Sequence, residues 1–279
     1  MGGPYEQLYI YELEGILQGI PSGWREKGFL GCWYEAGYSF VFFSSAHREE
    51  VEKEALRRGN IRVRCETIIP YQDWEAGTAL RPFCVGPLCV SPPWISPDRP
   101  QALLVDPGVS FGSGFHGSTR ACLELLVFLY GLATPKEVLD LGTGSGILAL
   151  AAAKLGASRV LAVDCQPVAV ETARANVTRN LLEDRVIVRL GDALEYLENP
   201  VQLVMANLHL ELLLEMVSRS SLWRIPWCIL AGVVGSQAGK LLSAIEKTPM
   251  RVAKSRVQGA WSAFLLEGNG MGTTHLKDL

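Results

Sequence analysis

The sequence predicts an α/β protein, a doubly wound parallel sheet with an antiparallel end, preceded by a small α+β unit. Three observations carry that prediction. From Lys136 onward, short apolar runs alternate five times with helical patterns, the rhythm of a parallel sheet with crossover helices. The first run, Val138-Leu139-Asp140-Leu141, breaks into a glycine-rich turn that opens a helix. The last two runs, Val252 to Val257 and Trp261 to Leu266, have almost no chain between them and close as a hairpin.

The elements follow in order. Tyr5 to Leu13 reads as a strand with Leu8, Ile10 and Tyr11 apolar. Trp33 to Phe43 reads as a hairpin turning at Glu35-Ala36-Gly37. Ser45 is placed to cap a charged, solvated helix from Ala46 to Arg58, which Gly59 ends. Ile61 to Ile69 alternates apolar and polar, as a half-buried strand does. Pro70 to Pro107 holds eight of the fifteen prolines. It therefore reads as a linker followed by short edge strands at Phe83–Val85 and Leu88–Val90. Beyond Lys136, strands are expected at Arg159 to Val163, Val186 to Leu190, Val201 to Ala206 and Trp227 to Val234. Helices are expected at Ile147 to Leu155, Pro167 to Asn180, Ala193 to Leu197, Leu210 to Val217 and Gln237 to Glu246.

Composition narrows the function. The chain has 279 residues, 48% of them hydrophobic, with 26 Lys+Arg against 29 Asp+Glu. That apolar content excludes a disordered chain. The balanced charge argues against a dedicated nucleic-acid binder, which needs a basic surplus for its phosphate contacts. Ile147 to Val163, the most apolar stretch, is interrupted by Lys154, Gly156, Ser158 and Arg159 and is too short to span a membrane. The first twenty residues carry no basic residue and three glutamates, so no signal peptide is expected. Seven cysteines without a Cys-x-x-Cys pair, and four scattered histidines, suggest neither a metal site nor a disulfide framework. Reduced thiols in a cytoplasmic protein are the expectation.

The chemistry concentrates in Asp140-Leu141-Gly142-Thr143-Gly144-Ser145-Gly146. Glycines between a strand and a helix let the backbone approach a ligand at the carboxyl end of the sheet. The spacing is Gly-x-Gly-x-Gly, which is neither the dinucleotide fingerprint nor a P-loop. Asp164 ends the next strand, 24 residues after Asp140, where a carboxylate can accept both hydroxyls of a ribose. Asp192 follows the third strand and is placed to accept from an adenine amino group. A nucleoside ligand without a pyrophosphate fits this set.

Val138 to Gly146 with Val163-Asp164 resembles the first two motifs of class I S-adenosylmethionine (SAM) methyltransferases. Upstream, Asp106 to Arg120, containing Phe111-Gly112-Ser113-Gly114-Phe115-His116-Gly117-Ser118-Thr119, resembles the signature of the PrmA family, methyltransferases of the eleventh large-subunit ribosomal protein. Asp73-Trp74-Glu75, Val85-Gly86, Pro92-Pro93-Trp94 and Met205-Ala206-Asn207-Leu208 are similar to that family too. The resemblance runs from about Gln72 to Leu266. Ser113 and Ser118 replace the usual threonines, Cys165-Gln166 replaces an apolar-Asp pair, and the segment from Asp73 to Pro82 is about two residues short.

The resemblance implies a class I, Rossmann-like seven-stranded sheet with a small N-terminal α+β (ferredoxin-like) domain. It implies a substrate-recognition domain at 1–69, a linker at 70–80 and a SAM-dependent domain at 81–279. Thr119, Gly142, Asp164 and Asn207 align with the family's SAM-binding positions. Asp140, Thr143, Gly144 and Gly146 belong to the same turn, and Phe111, Gly112, Gly114 and His116 to a loop that covers the cofactor. His116 is also a candidate base. The implied reaction is N-methylation of lysine and α-amino groups on a ribosomal stalk-base protein by a cytoplasmic monomer, with no direct nucleic-acid or membrane contact. Asn207-Leu208-His209-Leu210 lacks the Pro-Pro of enzymes that methylate planar nitrogens, which favours an aliphatic amine. Another protein, a small-molecule amine, or a non-catalytic SAM-binding assembly role remain as alternatives.

Overall fold

The computed structural model describes residues 4–75, 80–97, 99 and 101–269. Strands β1 (Gln7–Glu14), β2 (Phe29–Glu35) and β3 (Tyr38–Phe43), helix α1 (Arg48–Arg58) and strand β4 (Arg62–Pro70) open the chain. They form an antiparallel sheet in the order β2-β3-β1-β4. This is the strand order of a ferredoxin-like unit, with one difference. The crossover from β1 to β2 holds only a 3₁₀ turn at Arg25–Lys27, not an α-helix. Leu17 and Trp24 fill that space and pack with Tyr11, Phe43 and Val51. The hairpin turns at Ala36 and Gly37, both with positive φ, as expected.

Two local expectations resolve differently around α1. Gly59 closes the helix in the left-handed region (φ 73°), and its amide bonds the Ala55 carbonyl. Ser45 does not cap the other end. The cap position falls to His47, and the Ser45 hydroxyl bonds the His47 ring instead. Four residues, 44–47, separate β3 from α1, and Ser45 lies two positions before the cap residue, which puts its oxygen out of reach of the first free amides.

The other face of this sheet is covered. Leu8, Ile10 and Phe42 pack with Tyr71, Val109 and Val168. Tyr71 begins a short helix α2 (Tyr71–Glu75), and its hydroxyl donates to the Gly108 carbonyl at 2.9 Å. Of the expected linker, residues 76–79 lie outside the described residues, as do the last ten of the expected 81–279 segment.

Strands β5 (Phe83–Val85), β6 (Leu88–Ser91) and β7 (Leu103–Leu104) make a small three-stranded sheet. Its hairpin register sets Cys84 opposite Cys89, and these two form a disulfide. The expectation of wholly reduced thiols is thus corrected. A two-residue turn places residues five apart face to face across the strands, a pairing that Cys-x-x-Cys counting does not detect. Cys32, Cys122 and Cys228 are buried free thiols.

Helix α3 (Gly117–Leu132) was not anticipated by the element reading. It buries Ala121, Cys122, Leu125, Leu126 and Leu129 and lies across the last three strands of the chain. The regular part then runs β8 (Glu137–Leu141), α4 (Ile147–Leu155), β9 (Arg159–Asp164), α5 (Pro167–Arg179), β10 (Val186–Leu190), a 3₁₀ turn (Ala193–Tyr196), β11 (Leu203–Asn207), α6 (Leu210–Ser218), α7 (Ser220–Trp223), β12 (Trp227–Val234), α8 (Gly235–Ile245), β13 (Arg251–Gln258) and β14 (Trp261–Glu267). The sheet order is β10-β9-β8-β11-β12-β14-β13. The first five strands are parallel and the last two antiparallel. Alternation along β8 sends Val138 into the layer formed with α3 and α4, and Leu139 and Leu141 into the layer formed with α6 and α8. The winding reverses between β8 and β11, which opens a crevice at their carboxyl ends.

The two ends of α1 give a direct check. Gly59→Ala forces a side chain into a left-handed position and is expected to cost about 1 kcal/mol, or about 2 °C in Tm. Ser45→Ala is expected to cost less than about 0.5 kcal/mol. Thermal denaturation of both variants tests the pair. A loss of about 1 kcal/mol for Ser45→Ala would restore the cap to that residue.

Candidate functional site

The turn after β8 is built by three positive φ angles, at Gly142 (69°), Gly144 (54°) and Gly146 (86°). Space selects glycine as well. A Cβ on Gly144 would stand 2.4 Å from the Phe111 carbonyl oxygen, and one on Gly142 would stand 2.3 Å from the Leu208 side chain. The amides of Gly142 and Thr143 both donate to the Val163 carbonyl, at 2.9 and 3.0 Å, so the turn is tied to the end of β9.

Asp164 closes that junction. Its Oδ2 accepts from the Gly144 amide and its Oδ1 from the Gln166 amide, each at 2.9 Å. The carboxyl is only 8% exposed, and burial pushes its pKa up. Both oxygens are fixed, and each keeps a lone pair. A group held this way can accept the paired hydroxyls of a ribose.

Asp140 lies behind the turn, on the α3 and α4 side of β8. It is buried, and its Oδ2 accepts from the Thr143 hydroxyl at 2.5 Å. Its Oδ1 is buried without a hydrogen bond. Burial pushes this carboxyl up to about 7, against the pull of the Thr143 hydroxyl and the Ala149 amide. One Asp140 oxygen and the Thr143 hydroxyl therefore meet, and that pair braces the turn.

The loop before α3 covers this region. The Ser145 amide donates to the Phe111 carbonyl at 2.9 Å, and the Ser145 hydroxyl to the Gly112 carbonyl at 2.6 Å. Gly114 has φ 89°, and a Cβ there would strike the Phe83 ring at 2.5 Å. The His116 ring sits between Phe111 (centroids 4.8 Å apart) and Trp261 (4.3 Å). Its Nδ1 pairs with the Ser118 hydroxyl at 2.8 Å, and desolvation lowers its pKa, which favours the neutral ring. Thr119, in the first turn of α3, accepts at Oγ1 from Asn207 Nδ2 at 3.3 Å. Two residues 88 positions apart thus meet at the carboxyl end of β11. Asp192 is exposed and caps the 3₁₀ turn through the Leu194 amide at 2.8 Å. The preceding amide, Gly191, bonds the Asp164 carbonyl, so Asp192 stands beside β9.

Two contributors escaped the sequence reading. Asn176 on α5 is fully buried; its Nδ2 donates to the carbonyls of Asp106 and Ser145, both at 2.8 Å, and its Oδ1 accepts from the Asp106 amide. It sews the covering loop to the turn. Its signal was available, as a polar residue in the apolar stripe of Val170, Ala173 and Val177. Trp261 was read only as strand, and nothing in the linear sequence sets it beside His116.

The sheet order and the glycine turn that meets a strand-end carboxylate define a class I methyltransferase fold. A family model described as Ribosomal protein L11 methyltransferase (PrmA) matches residues 42–268, and the chain belongs to this family. The ribosomal protein L11 methyltransferase of Gloeobacter violaceus is 30% identical over 272 residues, covering 95% of this chain and 79% of that protein. The Desulforamulus reducens protein of the same name is 36% identical over 182 residues, 63% of this chain. The matches span 58% of that protein and 52% of the Pelotomaculum thermopropionicum one, little more than half of each. The crystal structure of a ribosomal protein L11 methylase from Lactobacillus delbrueckii subsp. bulgaricus is 25% identical, with a TM-score of 0.59, over 67% of this chain and 98% of that one.

The electrostatics of the turn are testable through stability. Asp140 binds its proton more readily folded than unfolded, where its pKa is near ~3.9. Folding stability should therefore fall as pH rises from about 4 through about 7. Asp164 contributes in the same direction. Asp140→Asn stays neutral, so its stability relative to wild type should grow between about pH 4 and pH 8. Denaturation curves across that range check this, and parallel pH profiles would overturn it.

Proposed function

We propose that this chain is a SAM-dependent methyltransferase that methylates lysine and α-amino groups of ribosomal protein L11 in the cytoplasm, working as a monomer. The observation that carries the reading is Asp164, fixed through both oxygens beside a turn whose glycines leave the backbone bare. Family membership and the similarity to the Gloeobacter violaceus protein over 95% of this chain support it.

In this reading Asp164 accepts the ribose hydroxyls and Asp192 the adenine amino group. The turn from Gly142 to Gly146 lets the main chain lie against the nucleoside, with Asp140 and Thr143 bracing it. Thr119 and Asn207 bind on the β11 side. Phe111, Gly112 and Gly114 cover the site and exclude water. When bound, SAM supplies an electrophilic methyl group on a sulfonium. The chain's task is then to orient an acceptor amine and strip its water. Deprotonating a lysine at pH 7 costs about 4.6 kcal/mol from a pKa of ~10.4. A desolvated pocket next to positive charge lowers that pKa, so no strong base is needed. His116, whose ring desolvation keeps neutral, is the candidate base in this reading. Residues 1–69 act as the recognition domain, 70–80 as the linker and 81–279 as the catalytic domain. Asn207-Leu208-His209-Leu210, without paired prolines, suits a flexible aliphatic amine better than a planar one.

The test is transfer of labelled methyl from SAM into unmethylated bacterial ribosomal proteins, resolved by gel and mass spectrometry. A single labelled band at L11 is expected. Absence of label there, with SAM bound, would rule out this substrate. Asp164→Ala should weaken SAM binding by about tenfold to a hundredfold, the scale of hydrogen bonds to a charged group. Unchanged affinity would remove Asp164 from the ribose site.

A further inference from the structure

Gln166 holds one residue of the amino-terminal sheet by both of its main-chain polar groups. Its Nε2 donates to the Tyr34 carbonyl at 2.7 Å, and its Oε1 accepts from the Tyr34 amide at 3.0 Å. Tyr34 lies on β2, an edge strand whose one neighbour is β3. Alternate residues of an edge strand point their amide and carbonyl away from the sheet. The Gln166 side chain supplies, for one residue, the pair of bonds that a further strand would make.

The same residue reaches the cofactor site. Its main-chain amide donates to Asp164 Oδ1 at 2.9 Å. One residue thus joins the edge of the amino-terminal sheet to the carboxylate at the end of β9.

Most of the neighbouring contacts set closeness rather than direction; the Tyr71 hydroxyl bond to the Gly108 carbonyl is a second directional one. A Cβ on Gly31 would stand 2.3 Å from Val168 Cγ2 and 3.1 Å from Val109 Cγ2, so the sheet sits hard against α5. Apolar contact of that kind does not fix rotation. The Arg25–Glu171 ion pair at 2.9 Å is more than half exposed on both sides and contributes little. The paired bonds of Gln166 have a required geometry, and they are made to main chain, so they hold the strand whatever side chain it carries.

We propose that Gln166 is a positioning residue for the methyl transfer: it sets the orientation of the amino-terminal sheet over the cofactor site and couples that orientation to occupancy of Asp164. The proposal rests on the reading of Asp164 as the ribose ligand. A ligand that fixes the Asp164 carboxylate narrows the motion of 164–166 and favours the Tyr34 clasp. By linkage, the clasped sheet favours the ligand by the same factor. Since the sheet belongs to the segment read as the recognition domain, Gln166 governs how a protein acceptor is presented, and not the chemistry at the methyl.

The test uses the full chain and follows hydrogen exchange at the Tyr34 amide, with and without SAM. In the wild type that amide is protected, and SAM slows its exchange further. Gln166→Ala should speed its exchange by about fivefold or more and abolish the response to SAM. It should also raise KM for L11 by about tenfold, more than it lowers kcat. Gln166→Glu can still accept from the Tyr34 amide but cannot donate to its carbonyl, so it should fall between the two. A merely structural role would lower Tm without a SAM-dependent change at Tyr34. Equal Tyr34 exchange in wild type and Gln166→Ala, or no effect of SAM in the wild type, overturns the proposal. A SAM-dependent Tyr34 response in a protein that does not methylate L11 upholds the coupling and removes the substrate instead.

Discussion

A buried carboxylate organises this molecule. Removing the Asp164 side chain from water costs several kcal/mol unless its oxygens are bonded, and the nearest donors are main-chain amides. To present the Gly144 amide, the chain after β8 must turn through left-handed backbone at three positions, and glycine adopts those conformations most readily. To present the Gln166 amide, the chain after β9 must fold back at once. The glycine turn, the start of α5 and the covering loop are therefore consequences of one charge that the fold keeps out of solvent.

The covering loop follows from the turn. Once Gly144 has no side chain, the Phe111 carbonyl can approach it closely, and the Ser145 amide and hydroxyl fasten the loop there. Asn176 satisfies the polar groups that this crossing would otherwise leave unpaired in the interior. The loop in turn fixes the start of α3, and with it the meeting of His116 with Trp261 and of Thr119 with Asn207. Aromatic and small polar groups from three separate stretches of chain thus meet at one end of the sheet.

The amino-terminal sheet completes the arrangement. A four-stranded sheet with a single helix can shield only one of its faces. Leu8, Ile10 and Phe42 on the other face need cover, and Val109, Val168 and Tyr71 supply it. The contact falls on the covering loop and on α5, so two elements that shape the cofactor site also carry the sheet. Burial of apolar area fixes the distance, and the Gln166 side chain fixes the angle.

Much of this was legible in the sequence. The apolar alternation after Lys136 and the glycine turn specify the parallel sheet, because each rests on a short-range rule of side-chain periodicity or backbone freedom. The resemblance of Phe111 to Thr119 and of Val138 to Gly146 to known motifs gave the family, which the 42–268 match then established. Other features could not be read that way. Ser45 has the chemistry of a cap, yet the path of the chain out of β3 gave the position to His47. Cys84 and Cys89 pair because a hairpin register sets them face to face. Asn176, Trp261 and Gln166 depend for their roles on partners 31 to 145 residues away, at Ser145, His116 and Tyr34. Sequence by itself determined most of the strands and helices after Lys136 and which glycine turn suits a nucleoside, since these depend on neighbours along the chain. Tertiary structure alone decided which side chains meet at that place, because hydrogen bonds and ring contacts depend on distances in space that no local pattern encodes.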